Sequence, residues 1–127
     1  PNGVTTICDG LFKECSGLTE ITLPETVTYI GSEVFSRCES LTHITLSENV
    51  NILYSRVISD CPMLKEITLS DNVTKIGRYA FSGCTALESI TIPESVTEID
   101  DFVFWGCRSL KTVIIPFMYP PHFLLTL

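Results

Sequence analysis

The chain has 127 residues, of which 45 % are hydrophobic and 18 % charged, with positive mean hydropathy and a formal charge of −7. Such a composition builds one ordered domain with a core and excludes a disordered segment. The acidic excess, with no Lys/Arg cluster to offset it, repels a phosphate backbone, so nucleic acid is not an expected partner.

At the start of the chain, Pro1-Asn2-Gly3-Val4 reads like Pro24-Glu25-Thr26-Val27. The chain therefore opens part-way through a repeat, and residue 1 is expected to lie inside a longer precursor or at an artificial boundary. No signal peptide is visible. No apolar run approaches the roughly 20 residues of a spanning helix, so no membrane span is expected in this chain.

Internal repetition decides the fold class. Cys15, Cys38, Cys61, Cys84 and Cys107 follow one another at steps of 23 residues. The same step links Leu18, Leu41, Leu64, Leu87 and Leu110; Ile21, Ile44, Ile67, Ile90 and Val113; and Leu23, Leu46, Leu69, Ile92 and Ile115. It also links Val4, Val27, Val50, Val73 and Val96; Ile7, Ile30, Leu53, Ile76 and Ile99; and Phe12, Phe35, Ile58, Phe81 and Phe104. One unit, Pro24 to Leu46, reads PETVTYIGSEVFSRCESLTHITL. Its Val-Thr-x-Ile is a short extended piece, after which Gly31, like Gly77, permits a sharp turn. The next stretch, as in Arg78 to Cys84, sets two adjacent apolar residues beside polar ones and predicts one or two turns of α or 3₁₀ helix on the outer side. Leu-x-x-Ile-x-Leu then alternates as a strand with one buried face: Ile44 and Leu46 inward, His43 and Thr45 outward. Pro24, Pro93 and Pro116, with Ser47 and Ser70 in their column, close the strand. So small a unit cannot bury its own face, and stacking makes the core continuous.

The pattern Leu-x-x-Ile-x-Leu-Pro-x-x-Val-x-x-Ile-Gly-x-x-Ala-Phe-x-x-Cys, best matched from Ile76 to Leu87, resembles the BspA-like, or Treponema pallidum-type, leucine-rich repeat over Pro1 to Pro116. The resemblance implies an α/β fold: a right-handed leucine-rich repeat solenoid of five repeats with a parallel concave sheet. It also implies a surface-exposed or secreted protein of the kind found in gut and oral bacteria and some parasitic protists, which adheres to or binds host or matrix proteins. It carries over no catalytic residues and no ligand motif. The third repeat departs from the pattern: Leu53-Tyr54 replaces Ile-Gly, Ile58 replaces Phe, and Pro62 follows Cys61.

The cysteine column reads as buried, inert thiols used as small hydrophobes. A 23-residue step lacks the local spacing of a metal site, and parallel stacking points the thiols the same way, which suits a disulfide poorly. Disulfide and metal readings remain the alternatives. Cys8, which falls in the glycine column, is the expected reactive thiol. Asn72-Val73-Thr74 is a glycosylation sequon, which a chance match explains better and which matters only in a eukaryotic secretory route.

The outward column Thr22, Thr45, Thr68, Thr91 is what strand propensity favours. An ice-binding array would need a second matching column, and the flanking one, Glu20, His43, Glu66, Ser89, is mixed. With Lys65, Glu88 and Lys111 these residues would form a polar, partly acidic strip, the candidate protein-binding site on the concave face. A merely solvated face is the plainer alternative. Glu20 and Glu66 would stand two coils apart, roughly 9 to 10 Å, on an open face, which is no catalytic pair. With only two histidines, no triad, no phosphate loop and no cofactor motif, the chain is not expected to be an enzyme or to hold a cofactor or metal.

The apolar tail from Phe117 to Leu127 is expected to cap the last coil, with self-association as the other option. Trp105 falls in the column of Lys13, Ser36, Ser59 and Ser82, expected to be exposed on the outer side, where the indole would meet the tail or a neighbouring chain. The sequence thus predicts a protein-binding or adhesion module, the alternative being a spacer without its own ligand.

Overall fold

A computed structural model describes residues 3–115, so the tail and its capping role lie outside the described residues. Five coils of 23 residues follow one another, ending at Leu23, Leu46, Leu69, Ile92 and Ile115. Their strands are short. Coil 1 contributes β1 (Thr6–Ile7) and β2 (Glu20–Thr22), coil 2 β3 (Tyr29–Ile30) and β4 (His43–Thr45), and coil 3 only β5 (Ile52–Leu53). Coil 4 contributes β6 (Lys75–Ile76) and β7 (Ser89–Thr91), and coil 5 β8 (Glu98–Ile99) and β9 (Thr112–Ile114). All pairings are parallel and join residues one period apart, as Ile21 with Ile44, Ile76 with Ile99 and Ile90 with Val113. The β-branched residues that dominate these strands suit that pleated, half-buried surface.

The helical turns expected on the outer side are not found, and the α/β label does not hold: the described residues contain strands and turns but no helix. The backbone explains the difference. Each coil places two residues in the left-handed region four positions apart: Gly10 and Glu14, Glu33 and Arg37, Arg56 and Asp60, Tyr79 and Gly83, Phe102 and Gly106. A left-handed residue cannot continue a right-handed helix. The outer N–H groups instead donate across coils. Gly10, Phe12 and Glu14 bond the carbonyls of Ser32, Val34 and Ser36 at 2.9, 3.0 and 2.8 Å. The pattern recurs as far as Gly83 N–H to the Trp105 carbonyl at 2.7 Å. The outer side is thus a third inter-coil ladder.

Gly31 and Gly77 also serve a purpose other than the one expected. Neither has a positive φ. A Cβ at Gly31 would stand 2.7 Å from the Asp9 amide nitrogen, and one at Gly77 2.9 Å from the Leu53 carbonyl oxygen. Close approach of the preceding coil, not turn geometry, makes glycine fit there.

The seven columns form one continuous core. Phe12 stacks on Phe35 at 5.5 Å and Phe81 on Phe104 at 5.9 Å, while Ile58 occupies the position between Phe35 and Phe81. In the first and last coils among the described residues the same columns are only half buried, as at Phe12, Leu18, Leu110 and Val113, where a described coil packs on one side only. Leu64, in the middle coil, is 0 % exposed. Leu64→Ala is expected to cost about 2–5 kcal/mol, read as a lowered midpoint in denaturant titration; an unchanged midpoint would contradict its interior placement.

Candidate binding face

All eleven residues of the expected strip are exposed: Glu20, Thr22, His43, Thr45, Lys65, Glu66, Thr68, Glu88, Ser89, Thr91 and Lys111. Strand alternation puts them there, since Ile44, Ile67 and Ile90 between them are buried. The structure brings Glu20 beside His43 and Thr22 beside Thr45 through β2 and β4, and Ser89 beside Thr112 through β7 and β9. It does not bring Glu66 and Thr68 into a paired strand. The expected row Glu20, His43, Glu66 on consecutive paired strands is therefore broken at coil 3. Between the unpaired segment and β7 lies a cleft of about 330 Å³ lined by Glu66, Thr68, Asp71, Ser89 and Thr91 among others.

Four ion pairs occur among the described residues, Lys13–Glu33, Arg37–Glu14, Lys75–Glu98 and Arg78–Asp101, none on this face. The charges of Glu20, Glu66, Glu88, Lys65 and Lys111 are therefore not spent within the described chain. On the polar side, the Thr42 hydroxyl donates to the Thr19 carbonyl at 3.0 Å and lies 2.9 Å from His43 Nδ1.

Sequence reasoning overlooked a further column. Glu25, Glu48, Asp71 and Glu94 place one exposed carboxylate in each of coils 2 to 5, in the turn after the preceding coil's strand segment. The same 23-residue step that revealed the apolar columns carries it. The cleft had no such signal, because Lys65-Glu66-Ile67-Thr68 matches the strand pattern of its neighbours.

On the outer side one expectation is corrected. Ser36, Ser59 and Ser82 are buried, not exposed; Ser36 and Ser59 share a hydrogen bond of 3.0 Å, and the Ser82 hydroxyl donates to the Tyr79 carbonyl at 3.2 Å. A small hydroxyl finds a partner in the next coil's hydroxyl or in the turn carbonyl three residues back, which an indole is too large to do. Trp105 is 56 % exposed and stands edge-on to Phe102 at 5.7 Å. Phe102 stacks on Tyr79 at 5.4 Å, and the Arg56 guanidinium lies 4.3 Å from the Tyr79 ring centre. The expected contact of Trp105 with the tail lies outside the described residues.

All six cysteines are free thiols, Cys8 exposed and Cys38, Cys61, Cys84 and Cys107 buried. Each buried thiol donates to a carbonyl one coil back: Phe12, Phe35, Ile58 and Phe81, at 3.2, 3.1, 3.0 and 3.0 Å. The Cys38 thiol is pushed up by its hydrogen bond with Cys61 and then by burial, and Cys107 by burial. At Cys61, hydrogen bonding with Cys38 pulls down, but that with Cys84 and burial outweigh it, to about 12. Among the described residues no group of three His, Cys, Asp or Glu is placed to hold a metal ion, and no helix is long and apolar enough to cross a membrane. The sequon residue Asn72 donates its side-chain amide to the Glu48 carbonyl at 2.7 Å.

Columns, coil length and parallel register together define a leucine-rich repeat protein. More narrowly, residues 1–119 match the BspA type leucine-rich repeat region in six copies, and the chain belongs to that family. Solved structures agree. A leucine-rich cell surface protein of Faecalibacterium prausnitzii is 36 % identical over 91 % of this chain, with a TM-score of 0.88. A leucine-rich repeat protein of Bacteroides ovatus is 39 % identical over 89 %, with a TM-score of 0.85. The leucine-rich repeat protein of T. pallidum is 29 % identical over 87 %, with a TM-score of 0.84. This chain spans 30 %, 29 % and 51 % of those three chains. No curated protein matches it.

The thiol column sets a pH dependence. The folded chain holds the protons of Cys38, Cys61 and Cys107 more tightly than the unfolded chain, whose thiols titrate near 8.5. Their contribution is therefore intact below pH ~8.5 and is lost as pH rises from there towards about 12. The melting temperature should fall across that range, and less steeply in Cys61→Ala. Cys8 should alkylate at least about tenfold faster than Cys61 in the native protein; equal rates would contradict the burial.

Proposed function

We propose that this chain is a protein-binding module, not an enzyme, that engages a protein partner through its exposed strand face at a cell surface or outside the cell. The observation that carries the reading is the set of unpaired charges at Glu20, Glu66, Glu88, Lys65 and Lys111, arrayed over a buried apolar layer. Side chains fixed on a packed scaffold lose little further freedom when a partner docks. A repeated coil extends such a face one strand at a time, which suits a large protein surface better than a small molecule. The open cleft beside Glu66 is shallow support for a substrate pocket, and nothing around the carboxylates excludes water. The surface setting is supported by the F. prausnitzii relative, itself a cell surface protein. The partner class, a host or matrix protein, follows from the adhesive character that the family resemblance implies.

The triple variant Glu20→Lys, Glu66→Lys, Glu88→Lys tests the reading against a panel of extracellular-matrix and host-surface proteins. A bound member of the panel should lose affinity by at least about tenfold, or 1.4 kcal/mol, at an unchanged melting temperature. Retained affinity would favour the spacer, in which these coils merely hold other parts of the protein away from the cell.

A further inference from the structure

Three backbone ladders join the coils: the strand face, the second face built by β1, β3, β5, β6 and β8, and the outer side. Between coils 1 and 2 all three are made. Thr42 N–H bonds the Thr19 carbonyl at 2.8 Å on the strand face, Gly31 the Ile7 carbonyl at 2.9 Å on the second face, and Phe12 the Val34 carbonyl at 3.0 Å outside. Between coils 4 and 5 all three recur, at Lys111 to Glu88, Asp100 to Ile76 and Phe81 to Val103. Between coils 3 and 4 two are made, at Gly77 to Leu53 and Ile58 to Ala80, and the strand face is open.

The junction of coils 2 and 3 differs from all of these. Its only backbone ladder among the described residues is the outer one, Glu33 to Ser55, Phe35 to Val57 and Arg37 to Ser59, at 3.1, 2.8 and 2.8 Å. β3 and β5 are not paired, and β4 has no partner in coil 3. Here Tyr54 stands where coils 2 and 4 carry Gly31 and Gly77, and its ring meets that of Tyr29 at 5.4 Å. The two rings sit where the second-face ladder is missing. Ile58 also interrupts the phenylalanine stack here.

We propose that this junction is a built-in hinge: coils 1–2 and coils 3–5 turn about the outer ladder as an axis, with the Tyr29–Tyr54 pair wedging the second face open. A row of three hydrogen bonds fixes one line, while the two unpaired faces leave rotation about that line resisted by side-chain packing and by single side-chain bonds, the Ser47 hydroxyl to the Val27 carbonyl at 2.7 Å and the Asn49 amide to the Glu25 carbonyl at 2.6 Å. The motion would change the spacing between the Glu20–His43 half of the strip and the Glu66–Ser89 half, letting one face conform to partners of different curvature. The hinge itself does not depend on the binding role.

Distances between spin labels test it. In a Cys8→Ser, Cys15→Ser background, one pair is placed on the strand face (Thr22→Cys with Ile114→Cys) and one on the outer side (Asp9→Cys with Asp101→Cys). Each pair spans four coils, and all four sites are exposed. The strand-face distribution is expected to be at least about twice as wide as the outer one, because displacement grows with distance from the axis. Tyr54→Gly is expected to narrow it. Equal widths would overturn the hinge. A wide strand-face distribution that Tyr54→Gly leaves unchanged would overturn the wedge. The comparison within the parent protein stands whether or not that variant folds, and no outcome requires a binding partner.

Discussion

A 23-residue coil has no interior of its own, and every other feature follows from how its apolar side chains are shared with the next coil. Leu41, Leu64 and Leu87 are fully buried because each column is closed above and below by its own kind. At coils 1 and 5 the same residue types have a described coil on one side only and are half buried. Stability in such an array is close to a sum of coil and junction contributions. The quality of each junction, more than total core size, therefore decides which part of the molecule yields first.

Polar groups are organised by the same translation. A parallel stack repeats each donor and acceptor at one step, so a single workable arrangement can be used several times. The thiol of one coil reaches a carbonyl of the coil before it four times over. Thr42, Thr74 and Thr97 reach back in the same way to Thr19, Asn51 and Thr74. A buried thiol that gives its proton to a backbone acceptor is a structural donor, which is why the column behaves as packing and not as chemistry. Likewise charges on the outer side and the second face pair between neighbouring coils, whereas among the described residues the strand-face charges do not. That asymmetry separates surface whose charges tie neighbouring coils together from surface whose charges do not, and the proposed binding role rests on the latter.

Regularity also has a functional limit. A perfect stack would present a rigid strip, able to fit only one curvature. The third coil, with Tyr54 in the glycine column and Ile58 in the phenylalanine column, weakens the ladders on two faces and leaves the third whole. Because the apolar columns pass through it without a break, the weakness is confined to backbone pairing and does not split the core.

The sequence by itself determined the period, the parallel one-coil register, the buried columns and the exposure of the eleven-residue strip. All of these depend on which residue types recur, and recurrence is written in the chain. It also marked coil 3 as irregular, at Tyr54, Ile58 and Pro62. It could not disclose that Ser36, Ser59 and Ser82 turn inward, since a serine's hydroxyl is as content in water as on a neighbouring backbone. Nor could it replace the helical turns by left-handed residues at Glu33, Arg56, Tyr79 and Phe102, because hydrophobic spacing over so short a stretch fits both. Only the tertiary structure decided those points, together with the open cleft beside Glu66 and the missing ladders around coil 3. Each is set by the distance between coils, a quantity that depends on what two segments 23 residues apart do to each other and that neither segment encodes alone.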